Sequence, residues 1–127
     1  MNVHIIGGGN LGTSIAIGIS KFSKNNQVTI TRRNTASIAY LENLGIAVSS
    51  DNTYNIEDAD VVILTVKPYQ VDIVLADILP KITNKTIASA VSGLSIEVLQ
   101  SKIGVVNHEM LIMHNIESRF GESATCF

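Results

Sequence analysis

The sequence has a single cysteine among its 127 residues, no aspartate or glutamate before Glu42, and no long hydrophobic run. Each shortage excludes something. Cys126 has no partner for an internal disulfide, which leads us to expect a reducing cytoplasmic setting; it is next to last and reads as incidental. The apolar stretch at Val61 to Leu64 is far shorter than the roughly 20 residues of a membrane span, so no membrane is expected as partner. No basic leader precedes the first apolar residues, and a glycine cluster cuts them short, so no signal peptide is expected. Formal net charge is -2 with 5% aromatic residues, so neither a global positive field nor a basic stripe with interleaved aromatics recruits nucleic acid. No G-x-S-x-G supports serine hydrolysis. His108, Glu109 and His114 lack convergent ligand spacing, so no metal site is expected, and His4 reads as packing within a strand. His114 also reads more as substitution drift than as an acid-base group.

What is present is a globular composition, 46% hydrophobic, at a length that predicts one domain over residues 1–127. Runs of strand length alternate with segments of helical period. "NVHII", "QVTIT", "IAV", "DADVVILTV", "KTIASAV" and "EMLIM" read as strands. Between them, "GTSIAIGISKFSK" sets Ile15, Ile19 and Phe22 at helical spacing. "NTASIAYLENLG" has Asn34 or Thr35 as its N-cap and Gly45 as its stop. "YQVDIVLADILPKI" puts Val71, Val74, Leu75 and Ile78 on one face, and "SIEVLQSKIG" is a further helix. Alternation of this kind predicts an α/β fold of Rossmann type: a doubly wound, mainly parallel sheet with helices on both faces. Val61 to Val66, nearly all apolar and β-branched, suits a strand covered on both faces.

Gly7-Gly8-Gly9-Asn10-Leu11-Gly12 matches G-x-G-x-x-G and lies between the first strand and the first helix. That is where the pattern has a mechanism: Gly7 permits the turn, Gly9 admits a pyrophosphate to the backbone, and Gly12 lets helix pack on strand. The helix N-terminus then offers unpaired N–H groups and a positive dipole to phosphate. About twenty residues on, where a site for NAD carries an acid for the ribose 2′-hydroxyl, the chain has Arg32, Arg33 and Asn34. A guanidinium pairs with a 2′-phosphate that a carboxylate would repel, which favours NADP(H) over NAD(H). "TVKPYQ", Thr65 to Gln70, follows the central strand and so faces the ligand crevice, where Lys67 suits a ribose or a substrate carboxylate; read alone it is equally a solvated lysine.

Four segments in order resemble the N-terminal half of the pyrroline-5-carboxylate reductase family: "IIGGGNLGTSIAIGI", "DADVVILTVKPYQV", "IASAVSGLSIEVLQSKI" and "MHNIESRFGESAT". The V-K-P element makes this more specific than glycines alone. The resemblance implies that Gly9, Asn10 and Leu11 line a pyrophosphate and that Arg33 and Asn34 lie near the 2′-phosphate. It puts Asn52 at the adenosine ribose, and Val66, Lys67 and Pro68 beside the nicotinamide ribose. Ser92 and Gly93 fall where the family has A-G, and Asn115 lies close to nicotinamide and substrate. Lys67 and Asn115 are thereby positioning candidates; no general acid stands out. The last segment departs from the pattern, with His114 and Glu117 in place of two prolines and Leu111 in place of an arginine, while Glu122 and Thr125 remain. The implied reaction is hydride transfer from NADPH to the imine 1-pyrroline-5-carboxylate, giving proline. The family's helical second domain, which forms its dimer and contacts the imino-acid substrate, is expected to be absent; a homo-oligomer would then rest on exposed apolar surface. Two rivals stand beside this: another NADP oxidoreductase, such as an F420-dependent type, and a nucleotide-binding module without catalysis.

Overall fold

The computed structural model describes residues 1–22, 24–104 and, as a strand backbone, 109–112. Its strands are β1 (Asn2–Ile6), β2 (Gln27–Thr31), β3 (Ala47–Ser49), β4 (Val61–Leu64), β5 (Thr86–Ser89) and β6 (Glu109–Ile112). They form one sheet in the order β3-β2-β1-β4-β5-β6, every pairing parallel. This is the doubly wound order, in which the chain starts at the centre, winds to one edge and returns to build the other half. The switch point lies between β1 and β4, and a ligand crevice opens beyond their carboxyl ends.

Helices α1 (Asn10–Phe22), α2 (Val71–Ile78) and α3 (Ile96–Ile103) cover the sheet. One face packs Val3, Ile5, Val28 and Ile30 against Ile15 and Ala16 of α1 and against Ile38 and Leu41. The other packs Ile6, Val62, Leu64 and Ile87 against the α2 stripe Val71, Val74, Leu75 and Ile78, with Leu99 and Ile103 of α3. Within β4, Val62 and Leu64 enter one core and Ile63 the other, so a strand covered on both sides has no polar alternation. Burying each such side chain contributes about 2 kcal/mol, which makes β1 and β4 rigid rails for the loops at their ends.

Three expectations need correction. Phe22 does not continue the α1 stripe: it is 89% exposed, while α1 buries Gly12, Ile15 and Ala16 and packs Ile19 at the edge of the same core. The segment after β2 is a 3₁₀ helix over Thr35–Leu44. Asn34 caps it by accepting from the Ala36 N–H at 3.1 Å, and Gly45 ends it with φ +82°. Ten residues must carry the chain back along the sheet, and a 3₁₀ rise of about 2.0 Å per residue covers more length than an α rise of about 1.5 Å. Its buried residues, Ile38 and Leu41, are three apart, which suits that period. Finally, β4 ends at Leu64, so Thr65 and Val66 belong to the crevice loop and not to the strand.

Candidate functional site

The site grows from the end of β1. Gly7 has φ +109°, a left-handed value that favours glycine, and a Cβ there would stand 2.8 Å from Thr65 Oγ1 and 2.9 Å from the Thr65 carbonyl. Gly12 is tighter still, since its Cβ would overlap the Gly7 carbonyl oxygen and lie 2.7 Å from Thr65 Oγ1. Gly9 is the opposite case. It is exposed, and a Cβ added to it meets nothing within 4 Å. Two of the three motif glycines are therefore demanded by the fold, and nothing in the fold demands the third.

Helix α1 starts directly behind this loop. The Thr13 N–H closes its first turn on Gly9 O at 2.9 Å, so the N–H groups of Asn10, Leu11 and Gly12 come ahead of that bond. They point with the positive end of the helix dipole toward the open side of Gly9. The loop is braced from two sides. The Thr65 hydroxyl donates its one hydrogen to Gly7 O at 2.7 Å, with Ile6 O also within reach at 3.0 Å, and Arg32 Nη1 donates to Gly8 O at 2.9 Å. The cradle thus combines open space, free donors and a fixed backbone, a donor set that fits a pyrophosphate.

The two arginines after β2 separate. Arg32 spends its guanidinium on the loop, whereas Arg33 is exposed and has no hydrogen bond or ion pair among the described residues. Asn34 uses its Oδ1 as a helix cap. Asn52 is held at both ends: its carbonyl oxygen lies 2.7 Å from His4 Nε2, and its Oδ1 accepts from Thr31 Oγ1 at 2.7 Å. Both His4 and Thr31 are buried, and His4 lies in a central strand of the sheet. Because a backbone carbonyl only accepts, His4 carries its proton on Nε2 and leaves Nδ1 as a buried nitrogen with no partner. Burial pushes its pKa below 6.5, opposed by the Asn52 hydrogen bond and the charge of Asp51. Asp51 is itself held low by the Thr53 N–H and hydroxyl.

On the far side of the switch point, Val66 packs on the α2 core, Lys67 is exposed, and Pro68 opens the 3₁₀ turn Pro68–Gln70 that runs into α2. The Lys67 N–H donates to Gln70 Oε1 at 2.9 Å, which sets the turn and leaves the ammonium outside it. Ser92 lines a cleft of about 100 Å³ with Pro68, Val71, Asp72, Gly93 and Lys102, crossed by a 2.6 Å Lys102–Asp72 ion pair. A second cavity, about 60 Å³, opens at the other end of the sheet beside Asn2, His4 and Gln27, remote from the glycine loop. Asn115, His108, His114, Glu122, Thr125 and Cys126 lie outside the described residues. Among the described residues no cluster of three His, Cys, Asp or Glu side chains could hold a metal, and no helix is long and apolar enough to cross a membrane.

Sequence reasoning gave Thr65 and Thr31 no role. Thr65 follows an apolar strand that pairs with β1 in the register Ile6 to Leu64, so it falls opposite Gly7, a placement that only the sheet reveals.

Sheet order, switch-point crevice and glycine cradle together define a Rossmann-type domain of the dinucleotide-binding class. Residues 2–93 match the family model described as NADP oxidoreductase, coenzyme F420-dependent, and the chain belongs to that family. Over 98% of its length it is 36% identical to pyrroline-5-carboxylate reductase 1 of Dictyostelium discoideum, covering 23% of that protein. It is 32% identical to the Staphylococcus haemolyticus pyrroline-5-carboxylate reductase, again over 98% of this chain and 48% of the relative. A pyrroline-5-carboxylate reductase structure from Coxiella burnetii superposes with TM-score 0.74 at 29% identity, over 89% of this chain and 42% of that one. The Plasmodium falciparum pyrroline carboxylate reductase with NADP bound has TM-score 0.70 at 23% identity, over 84% of this chain and 39% of that one, and shares the fold. The chain spans less than half the length of these relatives.

Proposed function

We propose that this chain holds NADP(H) and serves as the cofactor half of a pyrroline-5-carboxylate reductase, in a reducing cytoplasm. The observation that carries the reading is the contrast among the glycines: Gly7 and Gly12 are closed by their own fold, while Gly9 faces empty space at the mouth of α1. On this reading Gly7, Gly9, Asn10, Leu11 and Gly12 seat the pyrophosphate, Arg32 keeps the loop in shape, and Arg33 with Asn34 and Asn52 receives the adenosine ribose and its 2′-phosphate. Val66, Lys67, Pro68 and Ser92 border the nicotinamide side, and Asn115 is assigned to the same side by family resemblance. The bound nicotinamide supplies the hydride that reduces a C=N bond. The chain's own residues bind, orient and neutralise; Lys67 brings a positive charge to the rim where a ribose hydroxyl or a substrate carboxylate would lie.

The test is parallel calorimetric titration with NADPH and NADH, on this chain and on Arg33→Asp. Tighter NADPH binding that collapses in the variant supports the reading; binding of neither nucleotide overturns it. The imine reaction rests on the pyrroline-5-carboxylate reductases matched along nearly the whole chain. Consumption of NADPH on addition of 1-pyrroline-5-carboxylate tests it. The description of the matching family favours a second reading, electron exchange between NADP and coenzyme F420. NADPH-dependent reduction of F420, with the imine inert, would select it.

A further inference from the structure

We infer that Thr31 determines the preference for a 2′-phosphate, acting through Asn52, whose side-chain amide it fixes so that only N–H faces the ligand. The inference rests on the dinucleotide reading above and concerns a residue which that reading leaves without a role.

Thr31 is the last residue of β2 and is fully buried. Its backbone oxygen receives the Gly7 N–H at 3.0 Å, which places it directly under the glycine loop. Its hydroxyl reaches one partner among the described residues, Asn52 Oδ1 at 2.7 Å. An amide turned over would set Nδ2 against Thr31 Oγ1. The hydroxyl would then accept, and its own hydrogen would be buried with no acceptor, a full desolvation penalty. Burial of Thr31 therefore decides which end of the Asn52 amide points inward.

The backbone of Asn52 is restrained as well, by His4 Nε2–H donating to its carbonyl at 2.7 Å. With both oxygens of the residue engaged, its outward polar group is Nδ2–H₂, which has no protein partner among the described residues and is not sealed from solvent.

That polarity discriminates. A ribose 2′-hydroxyl is best recognised by an acceptor, as a carboxylate provides in sites for NAD. A 2′-phosphate has acceptor oxygens and calls for donors. Asn52 Nδ2 and the uncommitted Arg33 guanidinium are donors, and the acceptor that could have served a 2′-hydroxyl, Asn52 Oδ1, is withdrawn by Thr31. Thr31 is thus a positioning residue and touches no ligand itself.

The experiment measures NADPH and NADH dissociation constants for the unaltered chain, Thr31→Val and Asn52→Asp, with thermal melts on each. Thr31→Val keeps the side-chain shape and frees the amide to rotate. NADPH affinity is expected to fall about tenfold while NADH stays within about twofold, the loss of one charge-assisted hydrogen bond. Asn52→Asp keeps shape, retains the Thr31 bond on one oxygen and offers the other as an acceptor. The ratio of NADPH to NADH affinity is expected to drop by about a hundredfold. Equal weakening of both nucleotides in Thr31→Val, or an unchanged ratio in Asn52→Asp, overturns the inference while leaving dinucleotide binding intact. Should Thr31→Val fail to fold, Thr31→Ser against Thr31→Ala decides: the serine keeps the donor and is expected to hold the NADPH-to-NADH ratio that the alanine loses, and equal ratios in the two overturn the inference. Binding of neither nucleotide to the unaltered chain overturns both the function and the inference.

Discussion

Thr65 Oγ1 donates to the Gly7 carbonyl at 2.7 Å, so the first residue after β4 holds the turn that leaves β1. The same hydroxyl crowds Gly12, standing 2.7 Å from where a Cβ there would lie. One threonine thus ties turn, strand and helix start together, and its contacts exist only because β1 and β4 are neighbours across the switch point. Thr65→Val removes the hydroxyl donor from the Gly7 carbonyl, while Ile6 O keeps the Thr65 N–H at 2.9 Å. A loss of about 1–2 kcal/mol is expected, read as a lower urea midpoint at unchanged slope, with Thr65→Ser close to the original.

The glycines divide into two kinds of variant. Gly12→Ala forces a methyl group into the Gly7 backbone, which cannot retreat without pulling β1 from its partners. It is expected to cost about 2–3 kcal/mol and to lower the melting temperature by several degrees, with or without nucleotide. Gly9→Ala meets nothing in the fold and is expected to melt within about 0.5 kcal/mol of the original. Its effect belongs to binding, because the new methyl occupies the approach to the loop. Calorimetry should find both NADPH and NADH weakened by at least about tenfold.

Adjacent arginines are expected to behave differently. Arg32→Ala removes the bond to Gly8 O and loosens the cradle, so NADPH and NADH affinities fall together. Arg33→Ala leaves the loop intact and removes the charge that the proposed function assigns to the 2′-phosphate, so NADPH alone is expected to weaken, by about tenfold. That second loss should shrink in high salt, since the group is exposed.

His4 gives the fold a pH dependence with a definite sign. Burial lowers its pKa in the folded state below 6.5, so between the two values the unfolded chain binds the extra proton. Stability is then fully present above the unfolded value and declines as pH falls through the window below it. A proton on Nδ1 would be a buried donor with nothing to receive it. Denaturation midpoints should fall between about pH 7.5 and 5.5, and His4→Asn should flatten that slope. Asp51, exposed and low for local hydrogen-bonding reasons, acts only in the carboxylate range and does not interfere.

Local signals carried a large part of this. The alternation of strand and helix, the glycine spacing, a cap at Asn34 (one of the two residues offered) and the Gly45 stop are properties of neighbours in sequence, and the structure has them in that order. Phe22 failed because helical spacing says which residues share a face and not how far the core extends beneath them. The 3₁₀ form of Thr35–Leu44 failed likewise, because it depends on the span between β2 and β3.

The sequence by itself determined the alternating α/β pattern and a glycine loop without an acid on the next strand, since periodicity and residue type suffice for both. Only the tertiary structure decided which glycine stays open, that Arg32 is committed and Arg33 is not, and that Thr31, His4 and Asn52 form one unit. Those outcomes depend on strands far apart in sequence arriving side by side, and on hydrogen bonds whose partners no local pattern could pair.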